Sequence, residues 1–342
     1  MDEKNKMKDF LKLYQKFHNE EWKRGIGIEK CESGFLTRDE FTADREKTFD
    51  KFIAGKPVDK QIHSFLTHFC GYSARPLYIF GLREAFSSWD MQHLQNVIYQ
   101  SSRAFSAGKR TLSSGWDHCI NIWIAIKAFA ANDLSLAKSI IPKELGLSKN
   151  GWAPMITGVN LLMSLFYKDD KMLEEAKKSA YKLLSGKQTL FHKSIVEYLL
   201  ALAENDILKA SESLKQVCEG TRKVGDSAFI SKLDKCFCVY AHGLYNFAYF
   251  VLSQEDFSRL KQPDDKGFIN ELAGWNIKNG FSKGELYFPM PGKLSLQNVI
   301  LQTDQPETKL VEKADGSKMK FFTDTKSFLV NFTERVLDKI EV

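Results

Sequence analysis

The stretch "AIKAFAANDLSLAKSII", residues 125 to 141, sets two apolar runs against each other across a polar break, Asn132-Asp133. Trp116, Ile120, Trp123, Ile124 and Phe129 precede the break at helical spacing, and Leu134, Leu136, Ala137, Ile140 and Ile141 follow it in the same way. An aspartate suits such a break as a helix N-cap. Its carboxylate accepts from first-turn amides and faces the positive end of the helix dipole. The segment therefore predicts an antiparallel helical hairpin.

The same figure returns twice downstream. Trp152, Met155, Ile156, Val159, Leu162 and Phe166 are followed across "KDD" by Met172, Leu173, Ala176, Ala180 and Leu183. Ile195, Tyr198, Leu199 and Leu202 are followed across "END" by Ile207, Leu208, Ala210, Leu214 and Val217. The turn aspartates Asp133, Asp170 and Asp206 stand 37 and 36 residues apart, close to the period of helix-pair arrays. Each pair leaves an apolar face that a neighbouring pair can cover, so stacking is the physical expectation. The predicted fold is mainly all-α, with stacked antiparallel hairpins over residues 111–260. This array is tetratricopeptide-like, although the Trp, Leu-Gly and Tyr positions of that consensus are missing.

Residues 1–110 read as a helical region packed on the array. Met7, Phe10, Leu11, Tyr14 and Phe17 mark one buried helix face, and a turn-like "KRGIGIEKCESG" follows. Thr37 with Glu40 forms a capping-box pattern. Two further helices are expected to break near Gly71 to Pro76, and another to begin at Ser88. A long helix carrying Phe229, Leu233 and Phe237 is expected from about Asp226 to Leu252. Residues 261–342 read as an irregular segment. It contains a β-hairpin turning at Asp315-Gly316, where glycine tolerates positive φ, and a last helix, Thr325 to Ile340, that caps the array. The three segments are expected to form one continuous globular unit.

The chain has 342 residues, 43% of them hydrophobic, which is enough for a large core. Its net charge of +6 is the difference between 49 basic and 43 acidic side chains spread over the whole length. That distribution lacks the basic stripe with interleaved aromatics of a nucleic-acid binder. No apolar run reaches the ~18 residues needed to cross a membrane. The charged, amphipathic N-terminus has no secretory apolar stretch, so a cytoplasmic location is expected. Cys31, Cys70, Cys119, Cys218, Cys236 and Cys238 are dispersed within apolar patterns and read as reduced core thiols.

Candidate chemistry is sparse. "CFCVYAH" places Cys238 four residues before His242 on one helical face, half of a zinc ligand set. His68 beside Cys70, and Asp117-His118-Cys119, supply the residue types of a thiol nucleophile and its base, but neighbours on a helix diverge. No phosphate loop, nucleophile elbow or H-E-x-x-H pair occurs. No catalytic residue, cofactor or metal is therefore expected. Two features suit partner binding. One is the row of turn acids Asp133, Asp170 and Asp206, although helix capping explains each of them without a partner and is the preferred reading. The other is "GELYFPMPG", whose Tyr287, Phe288 and Met290 form either an aromatic contact patch or a seal on the core.

From about Ala104 to Phe250, the order "WDHCINIWIAIKAFAANDLSLAKSIIP", "GWAPMITGVNLLMSLFYKDD", "KSIVEYLLALAENDILKASESL" resembles the all-helical immunity proteins of bacterial polymorphic-toxin systems, specifically the immunity protein 49 type. That resemblance implies a cytoplasmic protein that binds a cognate toxin encoded nearby and occludes its active site. Residues 280–292 are the first candidate contact segment. Two other functions remain: a tetratricopeptide-like regulator that closes around a short peptide, and an enzyme built on His68, His118 or Cys119.

Overall fold

The computed structural model describes residues 3–19, 22–24, 27–29, 35, 37–224, 235–312 and 321–340. It is mainly helical, with short two-stranded antiparallel sheets. The chain begins with α1 (Glu3–Asn19), a ribbon of β1 (Trp22–Arg24) and β2 (Gly27–Glu29), then α2 (Arg38–Phe52), α3 (Val58–Ser64), α4 (Gly71–Ser88) and α5 (Met91–Lys109). Three hairpins follow: α6 (Ile122–Ala130) with α7 (Leu134–Ile140), α8 (Ala153–Tyr167) with α9 (Asp170–Leu184), and α10 (Leu190–Ala203) with α11 (Ile207–Lys223). Then come α12 (Val239–Val251), α13 (Gln254–Arg259), α14 (Asn270–Lys278) and α15 (Leu296–Gln302). Finally β3 (Leu310–Glu312) pairs with β4 (Phe321–Thr323), and α16 (Thr325–Ile340) ends the described chain.

Two compact units result, and they do not follow the expected segments. One contains Ser113–Ser282 and Glu307–Asp324, the other Asp2–Leu112, Lys283–Pro306 and Thr325–Val342. The segment expected as a single tail, 261–342, is thus divided between them. Thr308 holds the 307–324 portion in the first unit, its amide donating to the Ser139 carbonyl at 2.8 Å and its hydroxyl to that of Ile140 at 2.8 Å. In the second unit the buried Arg103 guanidinium donates to the carbonyls of Leu301 (2.9 Å) and Thr303 (3.1 Å), fastening the segment after α15 to α5. Helix α16 buries Phe328, Phe332 and Val336 in the core of this second unit, beside α3 and α15.

In the first unit the three turns share one backbone design. Asn132, Lys168 and Asn205 each end a helix in the left-handed region, at φ +55, +50 and +55. The next residue, Asp133, Asp169 or Asp206, sends its amide back to the preceding helix, to Ala128, Ser164 or Ala201. The aspartate carboxylate then accepts from the third amide of the new helix: Leu136 at 3.1 Å, Met172 at 3.1 Å and Lys209 at 3.0 Å. A Schellman-type stop and an N-cap start are thereby fused in two residues. The middle cap is Asp169, not Asp170, which is already helical, because only the residue just after the left-handed one has extended backbone. Helix α5 starts by the same device, with Trp89 at φ +54 and Asp90, rather than Ser88, capping His93 at 2.9 Å.

The hairpins do not extend as an open row. Every residue of α6 except Lys127 is buried, which is the expected fate of a helix that is apolar all round. Around it stand α7, α8 and α12, with α10 reaching it through Trp123 and Phe191. Phe129 meets Phe166 and Phe247, while Trp123 meets Phe191 and Tyr240. Gly243 lets α12 approach closely, since a Cβ there would fall 2.1 Å from the Ile126 carbonyl oxygen. Helix α12 begins at Val239, after a turn in which Phe237 is buried; the earlier part of the expected helix, residues 225–234 with Phe229 and Leu233, lies outside the described residues.

In the second unit no break occurs near Gly71. Helix α3 passes through a π-helical stretch, Phe65–Cys70, directly into α4, which carries Pro76 inside it. The wider stretch ends at Cys70, six residues before the proline, so Pro76 falls within the regular α4. Part of "KRGIGIEKCESG" pairs as the β1–β2 ribbon, Trp22 opposite Glu29, so the first 110 residues are not helical throughout. The β3–β4 pairing matches the expected hairpin, whose turn at Asp315-Gly316 lies outside the described residues. Thr37 caps α2, its hydroxyl accepting from the Glu40 amide at 3.1 Å.

Lys168 carries a side chain that resists the left-handed region, where Gly does not. Lys168→Gly is expected to raise the free energy of unfolding by about 0.5–1 kcal/mol, whereas Asp206→Ala lowers it by about 1 kcal/mol. Urea titration followed by circular dichroism checks both.

Candidate functional site

Two of the candidate catalytic residues, Asp117 and Cys119, are tied into the turn before α6. Asp117 caps the short turn before α6 and is saturated: it accepts from Ser148 Oγ at 2.6 Å and from the amides of Cys119, Lys149 and Asn150 at 2.9, 2.8 and 2.8 Å. Burial alone would raise its carboxyl, but these donors outweigh it and hold the group below the usual carboxylate range. The neighbouring Cys119 thiol donates to the Asn150 carbonyl at 3.3 Å, and a Cβ on Gly151 would sit 2.2 Å from its sulfur. Burial and the Asp117 charge push that thiol up to about 12, where it is no nucleophile at neutral pH. Burial also lowers His118, partly opposed by Asp117. In the other unit His68 is exposed while Cys70 is buried, and burial pushes the Cys70 thiol up to about 12.

Nor do Cys238 and His242 converge. Cys238 Sγ lies 3.1 Å from Thr221 Oγ1, whereas His242 Nε2 accepts from the Ile269 amide at 3.1 Å and its ring stacks on Phe268 at 4.1 Å. Among the described residues no group of three or more His, Cys, Asp or Glu is placed to hold a metal ion. No helix among them is long and apolar enough to cross a membrane.

The partner-binding candidates separate as well. Asp133 is buried in its turn, bonded to Ser135 Oγ at 2.9 Å, while Asp170 and Asp206 are exposed, so the turn acids present no continuous row. Met290 is in the core of the second unit, with Asn298 bonding both its amide (2.7 Å) and its carbonyl (2.9 Å). Phe288 exchanges two backbone bonds with the Gln100 amide group at 2.8 and 3.0 Å, and the Tyr287 hydroxyl donates to the Leu77 carbonyl. The Arg38 guanidinium covers both rings, 5.1 Å from the centroid of Tyr287 and 4.5 Å from that of Phe288. Of the two readings left open for "GELYFPMPG", the geometry is that of a seal. The segment is clamped between α4 and α5, and Met290 is inaccessible to a partner.

A surface that sequence reasoning passed over lies in the second unit, where the π-helical stretch meets the end of α5. Gly71 and Gly108 face each other there, and a Cβ on Gly108 would come within 2.4 Å of Gly71 Cα. The two backbones are therefore as close as helices can pack, and they floor an open groove of about 210 Å³. Tyr72 and Leu112, which are 72% and 60% exposed, stand in its wall with Phe105 and Thr67, and Lys109 supplies its charge. The detectable signal was Gly71 itself: a glycine inside an otherwise helical pattern marks either a break or a close approach, and here it is the second.

Comparison with protein families, curated proteins and solved structures gives no match for this chain.

Two measurements test the assignment of the buried groups. Native alkylation mapped by mass spectrometry is expected to modify the half-buried Cys236 while Cys70 and Cys119 stay free until the protein unfolds. Burial also depresses His192, to about 4 from 6.5, and His118 in the same direction, so both bind protons more weakly folded than unfolded. Their contribution to stability is complete above pH 6.5 and is lost as pH falls toward 4. His192→Gln is expected to flatten that slope by about 1–2 kcal/mol, allowing for the partial exposure of the ring. Unfolding midpoints measured across this pH range read the effect.

Proposed function

We propose that this chain is a protein-binding scaffold that acts as an immunity protein, holding a cognate toxin in the cytoplasm and blocking its active site. The observation that carries the reading is the open apolar groove over Gly71 and Gly108, with Tyr72 and Leu112 standing in solvent. Large apolar side chains grouped at a concavity are typical of protein contact sites. The backbones beneath are in contact and cannot yield, so the surface is preorganised and little ordering entropy opposes binding. The toxin as partner rests on the resemblance of residues 104–250 to the immunity protein 49 type.

A peptide-clasping regulator would use the inner faces of the paired helices. In this chain α12 covers α6 on that side, with Phe247 against Phe129 and the Tyr198 hydroxyl bonded to the Leu244 carbonyl at 2.9 Å. That packing favours capture on an outer surface over enclosure of a peptide.

Co-expression with the toxin-like domain encoded in the adjacent reading frame tests the proposal. Survival of the co-expressing cells, together with co-purification of the two proteins, is the expected result. Death of the cells without any complex overturns it.

A further inference from the structure

We propose that the groove over Gly71 and Gly108 receives one bulky apolar side chain from a partner protein, and that this side chain is flanked in the partner by a carboxylate. The inference rests on the protein-binding reading above and specifies the chemistry of the contact.

Size is the first constraint. A volume of about 210 Å³ falls below the roughly 300–1,000 Å³ typical of sites that enclose small molecules. It matches instead the pocket of a single anchoring side chain, the unit in which protein interfaces concentrate their energy. Shape follows from the glycines. With no Cβ on either helix, the floor is backbone, and the walls are the Tyr72 and Phe105 rings and the Leu112 side chain. Such a lining offers an apolar guest dispersion contacts on three sides. It offers few hydrogen bonds, because the Thr67 hydroxyl is already committed to the His63 carbonyl at 2.9 Å.

Charge is the second constraint. Lys109 is the charged member of the lining, which contains no acidic residue, and its ammonium sits 5.8 Å from the centroid of Phe105. Behind the opposite wall the Arg45 guanidinium lies 5.8 Å from the centroid of Tyr72. Arg45 is engaged by Asp44, whereas Lys109 reaches solvent. An apolar guest entering beside the solvent-facing Lys109 ammonium therefore gains from a carboxylate at its edge, and a basic neighbour would be repelled. The occupant this favours is a segment of a different protein in which Phe, Trp or Leu stands next to Asp or Glu.

The fold supplies a clean test. Gly71 is helical, and an added Cβ meets nothing closer than 3.6 Å, so Gly71→Leu fills the groove without opening the helix pair. Gly108 cannot serve, because its Cβ would strike the facing backbone. Full-length protein is immobilised and panned with a random-peptide phage library, and selected peptides are titrated by fluorescence anisotropy. The expected consensus joins one large apolar residue to a neighbouring acid. Gly71→Leu should weaken the selected peptide by about tenfold or more. Lys109→Glu should weaken it by about three- to tenfold and reverse the preference toward basic peptides. Circular dichroism and the unfolding midpoint establish that both variants are folded.

A basic or purely polar consensus, no consensus, or equal binding to Gly71→Leu overturns the inference. So does self-association of the wild-type chain that Gly71→Leu abolishes, because a second copy would then be the occupant. Co-expression separates this result from the functional reading. If Gly71→Leu protects cells as well as wild type, the groove is not the contact although immunity stands. If wild type fails to protect while acidic-apolar peptides still bind at the groove, immunity fails and the docking chemistry stands.

Discussion

The first unit depends on the burial of one helix on every side. Helix α6 has no polar face to leave in water, so each of its neighbours must contribute an apolar face, and that requirement organises α7, α8, α10 and α12 around it. Each fully buried Ile, Trp or Phe in such a position contributes about 1.5–3 kcal/mol from the hydrophobic effect. Helix contacts at this density need small residues where backbones cross. Gly243 against Ile126 provides one, and Gly158, whose Cβ would lie 2.4 Å from Ile122 Cδ1, provides another. Several of the polar groups drawn into this core are bonded to one another. Asn246 donates to the Phe129 carbonyl and to Asn132 Oδ1, and Asn132 in turn donates to Asn276 Oδ1 at 2.9 Å, so a chain of side-chain amides ties α12 and α14 to the first turn.

The second unit meets the same constraint differently. Its core gathers Phe41, Phe65, Phe69, Phe80, Phe328 and Phe332 from helices far apart in the chain, and long-range polar clamps hold the returning segments. Arg103 and Arg110 act as pins. Each guanidinium spends its donors on backbone carbonyls between Leu301 and Pro306, groups that burial would otherwise leave unpaired. The Gly71–Gly108 approach belongs to the same economy, since dense packing under an open groove makes that groove rigid. A rigid concavity ringed by exposed Tyr72 and Leu112 connects packing to function: it can select a guest by shape and charge without first being ordered.

The sequence carried the local structure well. The three hairpins, the aspartate caps at Asp133 and Asp206, the start of α2 at Thr37 and the whole of α16 were all legible, because periodicity and capping act within a few residues. The cap at Asp169 was misplaced by one residue, since "KDD" offers two carboxylates and only the backbone angle of Lys168 decides between them. The break expected at Gly71 did not occur, because glycine and proline weaken a helix only until tertiary packing outweighs the penalty. Of the binding candidates, Tyr287 and Phe288 read as either a contact patch or a seal, and the choice between the two depended on Arg38, Gln100 and Leu77, between 188 and 250 residues away. The groove itself combines residues 67–72 with 105–112, and no local pattern could join them.

What the amino-acid order determined by itself is therefore the set of rods and turns: where each helix starts, which side of it is apolar, and that α6 has no other side. Tertiary structure alone decided which rods share a core. It closed α12 onto α6 instead of extending the row, divided the tail, residues 261–342, between two units, and brought Gly71 against Gly108. The physical reason is range. Hydrogen-bonded turns and caps are settled by neighbours within a few positions, whereas burial depends on surfaces contributed by residues hundreds of positions apart, whose fit appears only when the chain has folded.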